Sequence, residues 1–327
     1  MRAGLITGER TFELVEVPEP EPGDGQALVQ VDRCGICGSD VSAYRSGKPY
    51  PPILHGHEWT GTVLGGRGIT QSEGDRVVLG APPPCGRCSS CRGGRPQHCE
   101  LVLMMAPPVP PHGGYAPRIN VDGTRLHAIP DHVSADAAAL VEPATVALHG
   151  VRRTDLHAGD RVLVTGAGAI GLLATQIAAL AGAEVVVVEP DDERRAMAAR
   201  YASATFASTD ELDGRVDVAF ECAGANAAVN AAARALRNGG QLTLIGVASG
   251  ALTIESEQWL IRELTVRTAL AHTAWDFDAS IRMVADGRLD LAPLAQRTVT
   301  LDGLPQAFAE LADGTSGAVK VLVDPQT

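Results

Sequence analysis

Three sets of residues in this 327-residue chain are typed and spaced for chemistry. Cys85, Cys88, Cys91 and Cys99 follow one another as C-x2-C-x2-C-x7-C. Four soft thiolates so close in the chain can close a tetrahedral shell around Zn²⁺ with no position left for a substrate, so the lobe at about 85–99 reads as structural. His98, beside Cys99, is surplus to such a shell and is expected at the surface. The run Gly166-Ala167-Gly168-Ala169-Ile170-Gly171 is a G-x-G-x-x-G turn, and Glu189 stands 18 residues beyond it. Gly166 permits a tight turn, Gly168 lets a pyrophosphate approach the backbone, and Gly171 lets strand and helix pack closely. Free N–H groups at the start of the following helix, those of Ala169 and Ile170 among them, can hold the anion. The third set is sparser: Cys37 in Gly35-Ile36-Cys37-Gly38-Ser39-Asp40, and His57-Glu58 after Gly56. Each alone is by default a packing residue.

These groups need elements to position them, and the chain has two textures. Residues 1 to about 141 are rich in Gly and Pro and carry short β-type runs such as 27–31 and 75–79, as an all-β domain with many loops requires. From about 143 to 272, short apolar runs alternate with Ala-rich helical stretches. Strands are expected at Arg161–Thr165, 184–189, Val216–Glu221, 241–245 and 264–270, with helices at 170–181, 191–201 and 227–237. Gly239 is placed to end the last helix. Strand–helix alternation with nearly all-apolar strands predicts a parallel sheet covered on both faces. The remainder predicts helices near 278–285 and 304–311 and a strand at 318–323, while 106–111 is a Pro-rich loop.

Composition limits what such a chain can do. It is 45% apolar and 20% charged, ample for real cores, and its net charge is −12. That sign disfavours nucleic acid and anionic membranes as partners. No apolar run approaches the roughly 20 residues of a membrane span, and the opening MRAGLITGERTFEL lacks the apolar stretch of a secretory signal. Seven cysteines, an odd number clustered in one window, then argue for thiolate ligands in a reducing, cytoplasmic setting rather than a disulfide framework.

Taken in order, the motifs around Cys37 and His57, the cysteine lobe, Gly113-Gly114-Tyr115-Ala116, Val141-Glu142-Pro143-Ala144, the glycine turn and the closing run with Lys320 resemble the zinc-containing medium-chain alcohol dehydrogenases. The resemblance covers nearly the whole chain. Its Glu-Pro at Glu142, where the classical branch has cysteine, is similar to the sorbitol and threonine dehydrogenase branch. It implies a GroES-like catalytic domain from residues 1–142 and 273–327, with a Rossmann domain, 143–272, inserted between them. It further implies a catalytic zinc held by Cys37, His57 and a carboxylate, which leaves open whether Glu58 or Glu142 touches the ion directly. Ser39 matches the hydroxyl that accepts the substrate proton, and Asp40 the carboxylate that orients His57. Many relatives carry His where this chain has Ser42, so the route of the proton outward stays open. Lys320 matches a basic residue near the pyrophosphate, with a surface lysine as the alternative.

The chemistry so implied is hydride transfer between a secondary alcohol or polyol, cyclitols and sugar derivatives included, and a nicotinamide dinucleotide. A metal with an open position lowers the pKa of a bound alcohol, and the cofactor carries the hydride. Glu189 can accept hydrogen bonds from ribose hydroxyls and repel a 2′-phosphate, which favours NAD over NADP, although Arg194 and Arg195 lie close by. Two other readings stand beside this one: an NADP-linked aldehyde or ketone reductase, and a non-catalytic protein that binds zinc and dinucleotide. The resemblance also implies a homodimer or homotetramer through the nucleotide domain, with 264–270 as the candidate edge strand. Cys34, Cys222, His55 and His149 read as structural, and Tyr44 and Trp59 as either packing or cleft lining.

Overall fold

Alternation writes the first strands. In Gln26–Gly35, Ala27, Val29 and Val31 are fully buried while Leu28, Gln30 and Asp32 are half-buried, the two-residue period of a strand with one face on a core. The computed structural model describes residues 1–47, 55–100, 113–247 and 251–327. The loop expected at 106–111 lies outside them. In chain order the strands are β1 (Arg2–Gly8), β2 (Thr11–Glu16), β3 (Gln26–Gly35), β4 (Glu58–Gly66), β5 (Arg76–Leu79), β6 (Arg118–Asp122) and β7 (Leu126–Ala128). Then come β8 (Arg161–Thr165), β9 (Glu184–Val188), β10 (Ala204–Phe206), β11 (Val216–Glu221), β12 (Leu236–Leu244) and β13 (Thr265–Thr268), and last β14 (Ala295–Thr300) and β15 (Lys320–Asp324). Backbone contacts divide the chain into two compact units, Met1–Glu142 with Thr273–Thr327, and Pro143–His272.

The first unit is built on a mixed sheet in the order β14-β15-β3-β4-β5-β7, with β6 on β3. The last strand of the chain, β15, lies antiparallel to β3, so both chain ends contribute to one sheet. Beside it Phe12, Tyr44, Tyr115 and Phe308 pack together, with Phe12 stacked on Phe308 at 4.6 Å between ring centroids. Tyr44 and Trp59 belong to this core, 5% and 2% exposed. Helix Gly38–Ser46 interrupts a segment whose texture predicts strands and loops only; its Val41, Ala43 and Tyr44 are buried. Helix Ala274–Ala285 begins four residues earlier than its apolar period suggests, because Thr273 and Asp276 close a reciprocal cap.

The second unit is a six-stranded parallel sheet in the order β10-β9-β8-β11-β12-β13. That is the doubly wound arrangement, in which the first strand sits mid-sheet and the order reverses beside it. Leu163, Val186, Ala219 and Leu242 are 0% exposed on neighbouring strands, as strands covered on both faces require. Helix Asn226–Ala235 runs directly into β12, and Gly239 does not end it. Gly239, at φ +71°, instead turns the backbone where the β11–β12 register shifts, between the Val216–Leu236 and Val218–Gln241 pairs. No helix among the described residues is long and apolar enough to cross a membrane.

Candidate active site

Sheet register assembles the first cluster. Pairing of β3 with β4 sets Gly35 opposite Glu58 and Cys34 opposite Trp59. Cys37 lies two residues beyond β3 and His57 one residue before β4, so strand pairing carries them together. Cys37 is also the N-cap of helix Gly38–Ser46 and spends no side-chain hydrogen bond on the cap. Ligand atoms of Cys37, His57 and Glu58 lie within 4.8 Å of one another. Glu142, half-buried near the start of helix Val141–Arg152, is outside that group.

The same sheet brings in Lys320. Ile36 donates its N–H to Val321 O at 3.0 Å. Lys320, 4% exposed, donates from Nζ to Ile36 O at 3.0 Å and is ion-paired with Glu58 Oε2. It is therefore not a surface lysine. A Cβ at Gly35 would sit 2.2 Å from that same Oε2, so glycine is what leaves room for the carboxylate.

Behind the imidazole, Asp40 is fully buried. Its Oδ2 accepts from the Tyr115 hydroxyl at 2.7 Å and from the Gly56 N–H at 3.3 Å. Its Oδ1 has no hydrogen-bond partner among the described residues and faces His57 Nδ1 at 3.9 Å, which leaves the other ring nitrogen for an ion. Ser39, half-buried, precedes Asp40 on the same first turn, and Ser42 is exposed. Tyr115 is the member of this arrangement that motif reasoning passed over; the signal was a tyrosine, with its hydroxyl, in an otherwise small and apolar Gly-Gly-Tyr-Ala run.

Charges here are strongly coupled. Burial alone would lower the His57 imidazole, but the Cys37 thiol, then Asp40 and Glu142, carry it well above its ordinary value. Burial pushes the Glu142 carboxyl up to about 7, with Glu58 and Asp40 adding to the rise and His57 and Lys320 opposing it. Burial also raises Asp40, against the pull of His57 and the Tyr115 hydroxyl. Lys320 is lowered by burial and more than restored by Glu58, Cys37 and Glu142. Three carboxyl groups and a thiol thus stand beside one ammonium and one imidazole, a grouping that a divalent cation would stabilise. A thiolate, an imidazole and a carboxylate form a fitting donor set for zinc, with a position left over for a small oxygen ligand.

The four cysteines make the second cluster. Sulfurs of Cys85, Cys88, Cys91 and Cys99 lie within 4.8 Å of one another, and His98 is exposed and outside the group. Backbone N–H groups point at the sulfurs, from Cys85 to Cys99 Sγ at 3.2 Å and from Cys88 to Cys85 Sγ at 3.4 Å. The N–H groups of Cys91 and Glu100 hold the Cys88 thiol below its ordinary value. Both features suit a closed thiolate shell.

In the second unit the glycine turn joins β8 to helix Ala169–Leu180. Gly166 has φ +91°, and Gly168 caps the helix with nothing within 4 Å of where a Cβ would be. That open space at a helix N-terminus is what an approaching pyrophosphate needs. Glu189 is 8% exposed and ends the next strand–turn segment beside this loop. Its carboxylate accepts from the Ala167 N–H at 2.7 Å and the Asp191 N–H at 3.0 Å. Arg195 is committed to the carbonyls of Glu189 and Pro190 and to Asp192.

Comparison with known proteins agrees with this geometry. Residues 23–131 match the alcohol dehydrogenase GroES-like domain, and residues 169–286 the zinc-binding dehydrogenase domain. The chain is 32% identical to the 2-dehydro-3-deoxy-L-galactonate 5-dehydrogenase of Pseudoalteromonas atlantica, over 99% of this chain and 98% of that protein. It is 29% identical to a sorbitol dehydrogenase of Bacillus subtilis, over 99% and 97%. Among solved structures, a zinc-binding dehydrogenase from Sinorhizobium meliloti bound to NADP superposes with a TM-score of 0.87 at 30% identity, covering 99% of both chains.

Proposed function

The chain belongs to the zinc-containing medium-chain alcohol dehydrogenase family, and from that premise we propose that it oxidises a secondary carbinol of a polyol or sugar derivative with NAD. The supporting observation is the approach of Cys37, His57 and Glu58 to within 4.8 Å on one sheet register, backed by a buried Asp40. When bound, zinc supplies a Lewis acid and the dinucleotide a hydride acceptor. Cys37, His57 and Glu58 hold the ion. Asp40 keeps the His57 ring turned, and Lys320 fixes the Glu58 side chain in place through its ion pair. Ser39 would accept the alcohol proton at Oγ while passing its own hydroxyl proton on, and Glu142, a carboxyl poised near neutrality, is a group of this site that can exchange a proton with solvent. Cys85, Cys88, Cys91 and Cys99 hold a second, structural zinc. In the other unit Gly166, Gly168, Ala169, Ile170 and Gly171 cradle the pyrophosphate, and Glu189 favours free ribose hydroxyls over a 2′-phosphate.

The substrate class follows the named activities of the relatives, which act on a sugar acid and a polyol. A homodimer or homotetramer is proposed on the edge strand β13. On the segments that flank it in the chain, Leu260, Ile261 and Leu270 are 79%, 66% and 60% exposed, apolar side chains that another copy would cover. A thiolate lobe also suits a reducing compartment, the cytoplasm. A screen of polyols, sugar acids and simple secondary alcohols with NAD and NADP, read at 340 nm with zinc measured on the same sample, tests the proposal. Turnover with NAD and about two zinc ions per chain is expected. A strong NADP preference overturns the role given to Glu189, and a zinc-loaded protein that converts no alcohol overturns the activity.

A further inference from the structure

Glu221 ends β11 at 1% exposure, on a strand where every other inward group is apolar or small. Its Oε1 accepts the N–H groups of Ala223 at 2.9 Å and Gly224 at 2.8 Å. Its Oε2 is buried and has no hydrogen-bond partner among the described residues. Its main-chain oxygen takes the N–H groups of Ile245 at 2.9 Å and Gly246 at 2.8 Å, just past β12, while the Cys222 N–H reaches Thr165 O at 2.9 Å, at the end of β8. Glu221 and Cys222 together therefore tie the carboxyl ends of three adjacent strands.

The turn it holds is pressed against the glycine loop. A Cβ at Gly166 would lie 3.1 Å from the N, Cα and Cβ of Ala223. On the other side, a Cβ at Gly246 would lie 2.4 Å from Gly224 N and 2.9 Å from Glu221 Oε2. Strand order reverses between β8 and β11, and the crevice beyond the carboxyl ends of strands at such a reversal is where open α/β sheets take ligands. A carboxylate gives two converging N–H groups a stronger acceptor than a neutral oxygen does.

We infer that Glu221 is a positioning residue for the dinucleotide: its carboxylate folds residues 222–225 back against Gly166 and so fixes the crevice wall opposite the glycine turn. The inference rests on the dinucleotide reading of that turn. Without the carboxylate, Ala223 and Gly224 lose their shared acceptor and the wall relaxes, while the zinc-binding residues of the other unit are untouched.

The test uses full-length, zinc-loaded wild-type protein and the variants Glu221→Ala, Glu221→Gln and Gly246→Ala, with NADH binding followed by fluorescence titration and zinc content by metal analysis. Glu221→Ala is expected to weaken NADH about tenfold or more and to raise KM for the dinucleotide while leaving KM for the alcohol and zinc content unchanged. Glu221→Gln keeps an oxygen at the Oε1 position and is expected to stay within about threefold of wild type. Gly246→Ala, which pushes on Gly224 without altering Glu221, is expected to weaken NADH as well, and it carries the test if Glu221→Ala does not fold. Wild-type affinity in Glu221→Ala or in Gly246→Ala overturns the positioning role alone, as does a Glu221→Gln protein as weak as Glu221→Ala. A wild-type protein that binds neither NADH nor NADPH overturns the dinucleotide reading and this inference with it.

Discussion

Replacing Tyr115 with phenylalanine removes one oxygen from the space behind His57 and nothing else. The ring keeps its neighbours, Phe12 at 6.1 Å and Phe308 at 5.8 Å between centroids, so no cavity opens. What is lost is a 2.7 Å hydrogen bond to a fully buried carboxylate, which retains only the longer bond from the Gly56 N–H. A hydrogen bond to a charged group contributes about 1.5–3 kcal/mol. In a unit the size of residues 1–142 plus 273–327, each kcal/mol moves the midpoint by roughly 2–4 °C, so Tm should fall by roughly 3–12 °C. A second effect is separable. In the proposed site Asp40 orients His57, and loosening a partner behind a metal ligand would cost on the order of tenfold in metal affinity. Zinc release to a chromogenic chelator should be faster in Y115F, and excess zinc should recover part of the lost Tm, because an ion that binds only the folded state stabilises it by mass action. Scanning fluorimetry at two zinc concentrations and a chelator assay read both effects. Wild-type Tm together with wild-type zinc release would show that Asp40 does not depend on the Tyr115 hydroxyl, and the chain of positioning from Tyr115 through Asp40 to His57 would be wrong.

Gly168→Ala should leave Tm unchanged, since nothing lies within 4 Å of the added methyl, yet weaken NADH at least tenfold by filling the space kept for the pyrophosphate; unchanged affinity would place the anion elsewhere. Cys88→Ser should lower zinc content by one ion per chain and lower Tm, with the other metal site still able to load; an unaltered melting curve would contradict a structural lobe. Burial first, and the neighbouring His57 second, hold the His55 imidazole at about 4 against an ordinary 6.5. The unfolded chain therefore takes up a proton below pH 6.5 that the folded chain refuses until about 4, so stability complete above pH 6.5 is lost as pH falls towards 4. At 1.36 kcal/mol per pH unit the loss is about 3 kcal/mol at most. His55→Gln should flatten that part of the acid-unfolding profile, and identical slopes in the two proteins would refute the assignment.

What could be read before the structure was what is local in the chain. The cysteine lobe spans 85–99 and the glycine turn 166–171, so spacing alone brings their groups together. The parallel sheet was legible for a related reason, because strands buried on both faces are written as unbroken apolar runs. Helix Gly38–Ser46 was not, since GSDVSAYRS has little apolar periodicity and is held by the packing of Val41, Ala43 and Tyr44. Gly239 shows how a strong local signal can be spent otherwise. Its left-handed backbone serves a register shift in β12, a matter of pairing with a strand that lies about twenty residues away in the chain.

Lys320 marks the limit most clearly. From the sequence Lys320 reads as a basic residue near the pyrophosphate or as a surface lysine, and fully buried ammonium groups are rare unless paired. Its burial depends on β15 lying antiparallel to β3, on Ile36 reaching Val321, and on Gly35 lacking the Cβ that would strike Glu58. None of these is visible within any short window. Yet once the pairing exists, physical chemistry leaves little freedom: an ammonium at 4% exposure and a carboxylate at 2% must compensate each other. With Lys320 so occupied, Glu142 and Asp40, both raised by burial, and the Cys37 thiol are left with His57 as the basic group beside them. The ion pair that hides the lysine therefore spends the ammonium on one carboxylate and holds it in place, and a metal cation at the proposed site would supply the positive charge that the lysine no longer can.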